Sequence, residues 1–104
     1  MTKFYKPGTH DFEYHDLATL AMKRALNDAN LTFEKHIEQV YCGYVYGDST
    51  CGQRCVYELG RKGIPIFNIN NNGCTGASTI FLARQAVAAG VAECVLAVGF
   101  EKMF

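Results

Sequence analysis

The chain has 104 residues, 49% hydrophobic and 19% charged, with a formal net charge of zero. That suffices for one small domain, is too apolar for a disordered chain, and sets up no field to recruit nucleic acid or an anionic membrane. No apolar run approaches the roughly 20 residues needed to cross a bilayer, and the opening MTKFYKPG lacks the apolar stretch of a secretory signal.

In chain order, Thr2 to Tyr5 reads as the tail of a strand. Asp16 is the expected N-cap of a helix running to about Asn30, with Leu17, Leu20, Ala21, Ala25 and Ala29 on one face. Gln39 to Tyr46, QVYCGYVY, has the β-branched and aromatic content of a strand, and Gly47, Asp48 and Ser49 mark a turn. Gln53 to Leu59 predicts a short helix ended by Gly60, and Ile64 to Ile69 a buried strand. Thr75 opens a further helix that stops at Gly90, and Cys94 to Val98, CVLAV, predicts a strand buried on both faces.

Strands alternating with helices predict an α/β fold: a parallel-rich sheet with right-handed βαβ crossovers and helices packed on it. In such sheets sites gather where strand C-termini meet helix N-termini. Two junctions qualify, GDSTCGQR and NNNGCTGAS.

In the second junction, Cys74 stands where an apolar strand hands over to a helix. The helix dipole and unpaired N–H groups there favour a thiolate, which makes Cys74 the cysteine expected to have a lowered pKa. Gly73 and Gly76 leave room for a ligand, and free N–H groups near Thr75 could stabilise an oxyanion. A buried structural cysteine in a tight turn fits the same local pattern. The GxGxxG and GK[ST] fingerprints of nucleotide binding are missing, which disfavours a doubly wound nucleotide-binding domain.

The five cysteines (Cys42, Cys51, Cys55, Cys74 and Cys94) are odd in number and form no disulfide framework, so free thiols in a reducing compartment are expected. Cys51 and Cys55 share a helix face, without a second pair at zinc-like spacing; no metal is expected. His10, His15 and His36 read as surface residues. Asp48 and Arg54 read as a turn cap and a solvated cation, and Tyr41, Tyr44 and Tyr46 as core or interface. Glu101 and Lys102 read as ordinary charges after a strand.

GYVYGDSTCGQR (Gly43 to Arg54), GIPIFNINNN (Gly63 to Asn72), TGASTIFLARQ (Thr75 to Gln85) and GVAECVLAVGFEKM (Gly90 to Met103) resemble the thiolase portion of sterol-carrier-protein thiolases, in order and over essentially the whole chain. The resemblance implies the N-terminal half of a thiolase fold, spanning residues 1–104, with the first strand cut at its start and the C-terminal half absent. It implies thiolysis of 3-oxoacyl-CoA through a Cys nucleophile, with coenzyme A as substrate and no further cofactor. Branched and sterol-derived acyl chains, a homodimer or the missing C-terminal half as partner, and the peroxisome (otherwise the cytoplasm) are implied too. The terminal GFEKMF is no peroxisomal address.

One departure touches the chemistry. The family's nucleophile directly follows the Asn triplet; here that position is Gly73, and the cysteine is displaced by one, to Cys74. On an α-helix one residue turns a side chain by about 100° and moves it about 1.5 Å. The resemblance also places the general-base histidine and a second, acid/base cysteine in the absent half. The fragment is therefore expected to be inactive alone. The alternative is a non-catalytic thiolase-like module for lipid-carrier assembly or dimerisation.

Overall fold

A computed structural model describes residues 1–103. Helices α1 (Tyr14–Asp28) and α2 (Phe33–His36) precede strand β1 (Gln39–Gly43); α3 (Cys51–Tyr57) leads to β2 (Ile66–Ile69). A 3-10 turn (Asn72–Cys74) runs straight into α4 (Thr75–Ala88), and β3 (Val95–Gly99) follows. The strands form one sheet in the order β2-β1-β3, and both pairings are parallel. The expected parallel α/β architecture is therefore present.

Alternation along β1 divides the sheet between two layers. Val40 and Cys42 point into a core completed by Ala18, Met22 and Leu26 of α1, Cys55 and Val56 of α3, and Leu96 and Val98 of β3. Tyr41 points the other way, against Ala83 and Ala86 of α4. Helices α1 and α3 thus cover one face and α4 the other.

Several boundaries and faces differ from the sequence reading. Residues 2–5 form no strand. Asp16 does not cap α1 from outside; it sits inside the first turn, and its Oδ2 accepts the Glu13 N–H at 2.9 Å. The buried face of α1 is Ala18, Thr19, Met22 and Leu26, one position on from the expected row. The Leu17, Ala21 and Ala25 row borders a cleft instead. Helix α3 starts two residues early, at Cys51. In β3 only Leu96 and Val98 are buried and Ala97 is exposed, so the strand expected to be buried on both faces is fully covered only on the face toward α1 and α3. Helix α4 ends as expected at Gly90, whose φ of 76° lets the Val91 N–H reach back to the Ala86 carbonyl.

Candidate functional site

The strand order places β1 between its successors, so the chain leaves β1 for one side and later returns to the other. Ligand crevices in open α/β sheets form outside the strand C-termini at such a switch. A cleft of about 920 Å³ opens at that place and runs on along β3, with residues 1–5 and the Leu17, Ala21 and Ala25 row of α1 as its other wall. Gly43 to Tyr46 border it after β1, Gly99 to Met103 after β3, and Asn72, Gly73, Thr75 and Gly76 where β2 passes into α4.

Close backbone approach builds this corner. A Cβ on Gly43 would collide with the Oγ1 of Thr79 and touch the Thr75 methyl, so the missing side chain lets α4 settle on β1. Thr75 is buried and latches the turn: its Oγ1 donates to the Asn72 carbonyl at 2.7 Å and accepts the Asn71 N–H at 2.8 Å. Thr79 Oγ1 then donates to the Thr75 carbonyl at 2.8 Å. Neighbouring asparagines serve as struts. Asn70 Nδ2 donates to the Val45 carbonyl (3.3 Å) and Asn71 Nδ2 to Ser78 Oγ (2.9 Å). Asn68 Oδ1 accepts the Gly52 N–H at 2.8 Å, which ties β2 to the start of α3.

The loop after β1 is held as firmly. Tyr44 is buried, donates its hydroxyl to the Asp48 carbonyl at 2.9 Å, accepts the Cys51 N–H at 3.3 Å and stacks on Phe100. Glu101 accepts the N–H groups of Val45 (2.9 Å) and Tyr46 (3.3 Å) and so pins the cleft rim. The sequence reading missed this role of Glu101, since a carboxylate after a strand carries no signal of a contact 55 residues away. A glycine inside a β-branched, aromatic run was the available hint for Gly43.

Of the four predicted site residues, Gly73, Thr75 and Gly76 border the cleft. Cys74 is exposed at the same junction, outside the cleft lining, with its Sγ donating to the Asn71 carbonyl at 3.1 Å. The physical reason is the 3-10 turn, in which one residue rotates the side chain by about 120° and advances it about 2 Å. No atom lies within 4 Å of where a Cβ on Gly73 would stand, so the cleft-facing position is open space.

The other thiols differ in setting. Cys42, Cys51 and Cys55 are buried and Cys94 is half-buried. Burial pushes the Cys42 and Cys55 thiols up to about 12, which keeps them protonated and inert. None of the histidines hydrogen-bonds Cys74, and of the three His10 borders the same cleft as Gly73 and Thr75. His10 Nδ1 accepts the Phe12 N–H, His36 Nδ1 accepts the Thr32 N–H, and His15 Nδ1 lies 2.9 Å from Glu58 Oε1. His10 and His15 are half-buried rather than free surface residues, and Tyr46 is 70% exposed, which leaves the interface and not the core for it. Arg54 lies over the Tyr14 ring, 6.0 Å from its centroid. Among the described residues no helix is long and apolar enough to cross a membrane.

The family model for the thiolase N-terminal domain matches residues 1–104. The chain is 57% identical over 105 aligned positions to sterol carrier protein 2 of Oryctolagus cuniculus, covering 99% of this chain and 19% of that protein. It is 43% identical to non-specific lipid-transfer protein-like 2 of Caenorhabditis elegans, over 99% of this chain and 25% of that protein. A benzoylsuccinyl-CoA thiolase subunit of Thauera aromatica is 30% identical over 96% of this chain and 26% of its own length. The chain thus spans about a fifth to a quarter of the length of these relatives.

Proposed function

From the premise that this chain belongs to the thiolase family, in its N-terminal domain, we propose that it supplies the nucleophile turn and one wall of an acyl-CoA acyltransferase site. The observation that carries this reading is the cleft at the C-terminal ends of β1 and β3, with Gly73, Thr75 and Gly76 on its border and α4 starting beside it. The Gly73 N–H, left out of the hydrogen bonds that close the turn, suits a developing oxyanion, and Gly73 and Gly76 leave room for a thioester.

In this reading a thiolate attacks the 3-carbonyl of a 3-oxoacyl-CoA. The C2–C3 bond breaks, the departing enolate takes a proton and leaves as acetyl- or propionyl-CoA, and coenzyme A thiol then collects the acyl group from sulfur. Cys74 is the exposed thiol nearest this turn. The names of the relatives support a lipid or sterol-derived acyl chain as substrate. Coenzyme A enters as substrate, and a second copy or a C-terminal half completes the site. Without a positioned base the thiol lacks proton transfer worth about 10²–10⁴-fold, so the 104 residues alone do not turn over. The peroxisome is the compartment this assignment favours.

A second reading has its own observation. Because Gly73 holds the cleft-facing position and Cys74 turns outward, the turn fits a thiolase-like module that has lost covalent chemistry and serves lipid-carrier assembly. Incubation with acetyl-CoA and peptide mass mapping separates the two. Acetyl on Cys74 that disappears in Cys74→Ser supports the acyltransferase. No acetyl on the native chain, with acetylation gained by Gly73→Cys, supports the module.

A further inference from the structure

Asn72 and Gly73 form the chain's one Asn-Gly pair, and it lies on the cleft border. We propose that Asn72 is a site of spontaneous deamidation, through which the native protein converts its own cleft rim to an aspartate or isoaspartate. The step is an attack by the Gly73 amide nitrogen on the Asn72 side-chain carbonyl carbon. The bond to Nδ2 breaks, ammonia leaves with the amide proton, and a cyclic imide remains. Water then opens the ring at either carbonyl, which gives Asp or a backbone lengthened by one methylene.

Three observations single out this residue. Nearby asparagine carboxamides are all held: Asn68 by Gly52 and Gln53, Asn70 by Val45 and the Asn72 N–H, Asn71 by Ser78. Among the described residues, no hydrogen bond restrains the Asn72 carboxamide, and Asn72 is exposed. The attacking residue has no side chain, and no atom stands within 4 Å of where its Cβ would be, so nothing shields the amide. Finally, the backbone hydrogen bonds that close the turn, Cys74 N–H to the Asn71 carbonyl and Thr75 N–H to the Asn72 carbonyl, leave the Gly73 N–H out. Asn27 and Asn30 differ: they precede Asp28 and Leu31, whose side chains crowd the attacking nitrogen, and Asn27 lies within α1.

The two products have distinct consequences. Aspartate puts a negative charge one turn before α4, where the helix dipole favours it. Isoaspartate lengthens the chain inside the 3-10 turn and breaks the Thr75 latch that positions Gly73 and Cys74. Neither outcome depends on acyl transfer, so the proposal stands apart from the reading above.

The test is to age the native protein at mildly alkaline and mildly acidic pH, then map each asparagine peptide by mass and by isoaspartyl methyltransferase labelling. Conversion at Asn72 is expected to outrun that at Asn27 and Asn30 severalfold, to quicken with pH, and to slow severalfold in Gly73→Ala. A parallel sample in denaturant controls for the fold. Conversion confined to the denatured sample, equal rates at all three asparagines, or an unchanged rate in Gly73→Ala overturns the proposal.

Discussion

Thr50 enters α3 with a φ of 63°, a left-handed conformation that a β-branched residue adopts at a cost of about 1–2 kcal/mol. Asparagine tolerates that region better, so Thr50→Asn is expected to raise stability by about 1 kcal/mol; an unchanged or lower melting temperature would count against strain at this position. Glycines divide by what surrounds them. A Cβ on Gly52 would stand 2.6 Å from Asn68 Oδ1 and 2.8 Å from Cys42 Cβ, so Gly52→Ala is expected to cost about 1–3 kcal/mol in denaturant melts. Gly73→Ala meets open space and should change stability by no more than about 0.5 kcal/mol.

At the scale of elements, the junction from β2 to α4 hangs on one hydroxyl. Thr75 Oγ1 closes hydrogen bonds to both Asn71 and Asn72 while its methyl rests near Gly43. Thr75→Val keeps the shape and strands both partners, at an expected cost of about 1–3 kcal/mol. Hydrogen exchange should then speed up across residues 71–76 before it does in β1. Uniform acceleration over the whole sheet would mean that Thr75 acts only through global stability. The pairing of α1 with α3 rests on a similar buried bond, from Thr19 Oγ1 to the Cys55 carbonyl at 3.0 Å.

For the whole molecule, burial couples stability to pH. Cys42 and Cys55 titrate at about 12 in the fold against an ordinary 9.0, and burial raises Tyr14 from 10.0 to about 12. Above pH 9.0 the unfolded chain therefore binds fewer protons than the folded one. The stabilisation is complete below that pH and is lost progressively toward 12. The melting temperature should fall over this window, and fall less steeply in Cys42→Ala/Cys55→Ala; identical slopes would exclude the thiols as the cause. The molecule also leaves Ile80 (66% exposed), Phe81 (62%) and Val91 (65%) on its surface, with α4 covering the sheet from the other side. Association in sedimentation, reduced by Ile80→Gln/Phe81→Gln, is the expected behaviour. A monomeric native chain would argue against a completing partner on that helix.

Local composition determined the element types: β-branched and aromatic runs made β1 and β2 legible, Thr75 and Gly90 bounded α4, and their alternation dictated a parallel sheet. The phase of α1 was not legible, because Ala-rich rows at 17/21/25 and 18/22/26 are both apolar and only packing against β1 and β3 chooses between them. The same holds for the site. Sequence placed Gly73, Cys74, Thr75 and Gly76 at a strand-to-helix junction, since glycines, threonine and asparagines punctuate chains locally. Which of them faces the cleft was settled by a 3-10 turn anchored on Thr75 and by Gly43 and Glu101, the latter brought in from 26 residues beyond Thr75. Side-chain direction at a turn depends on contacts distant in sequence, and those exist only once the sheet has assembled.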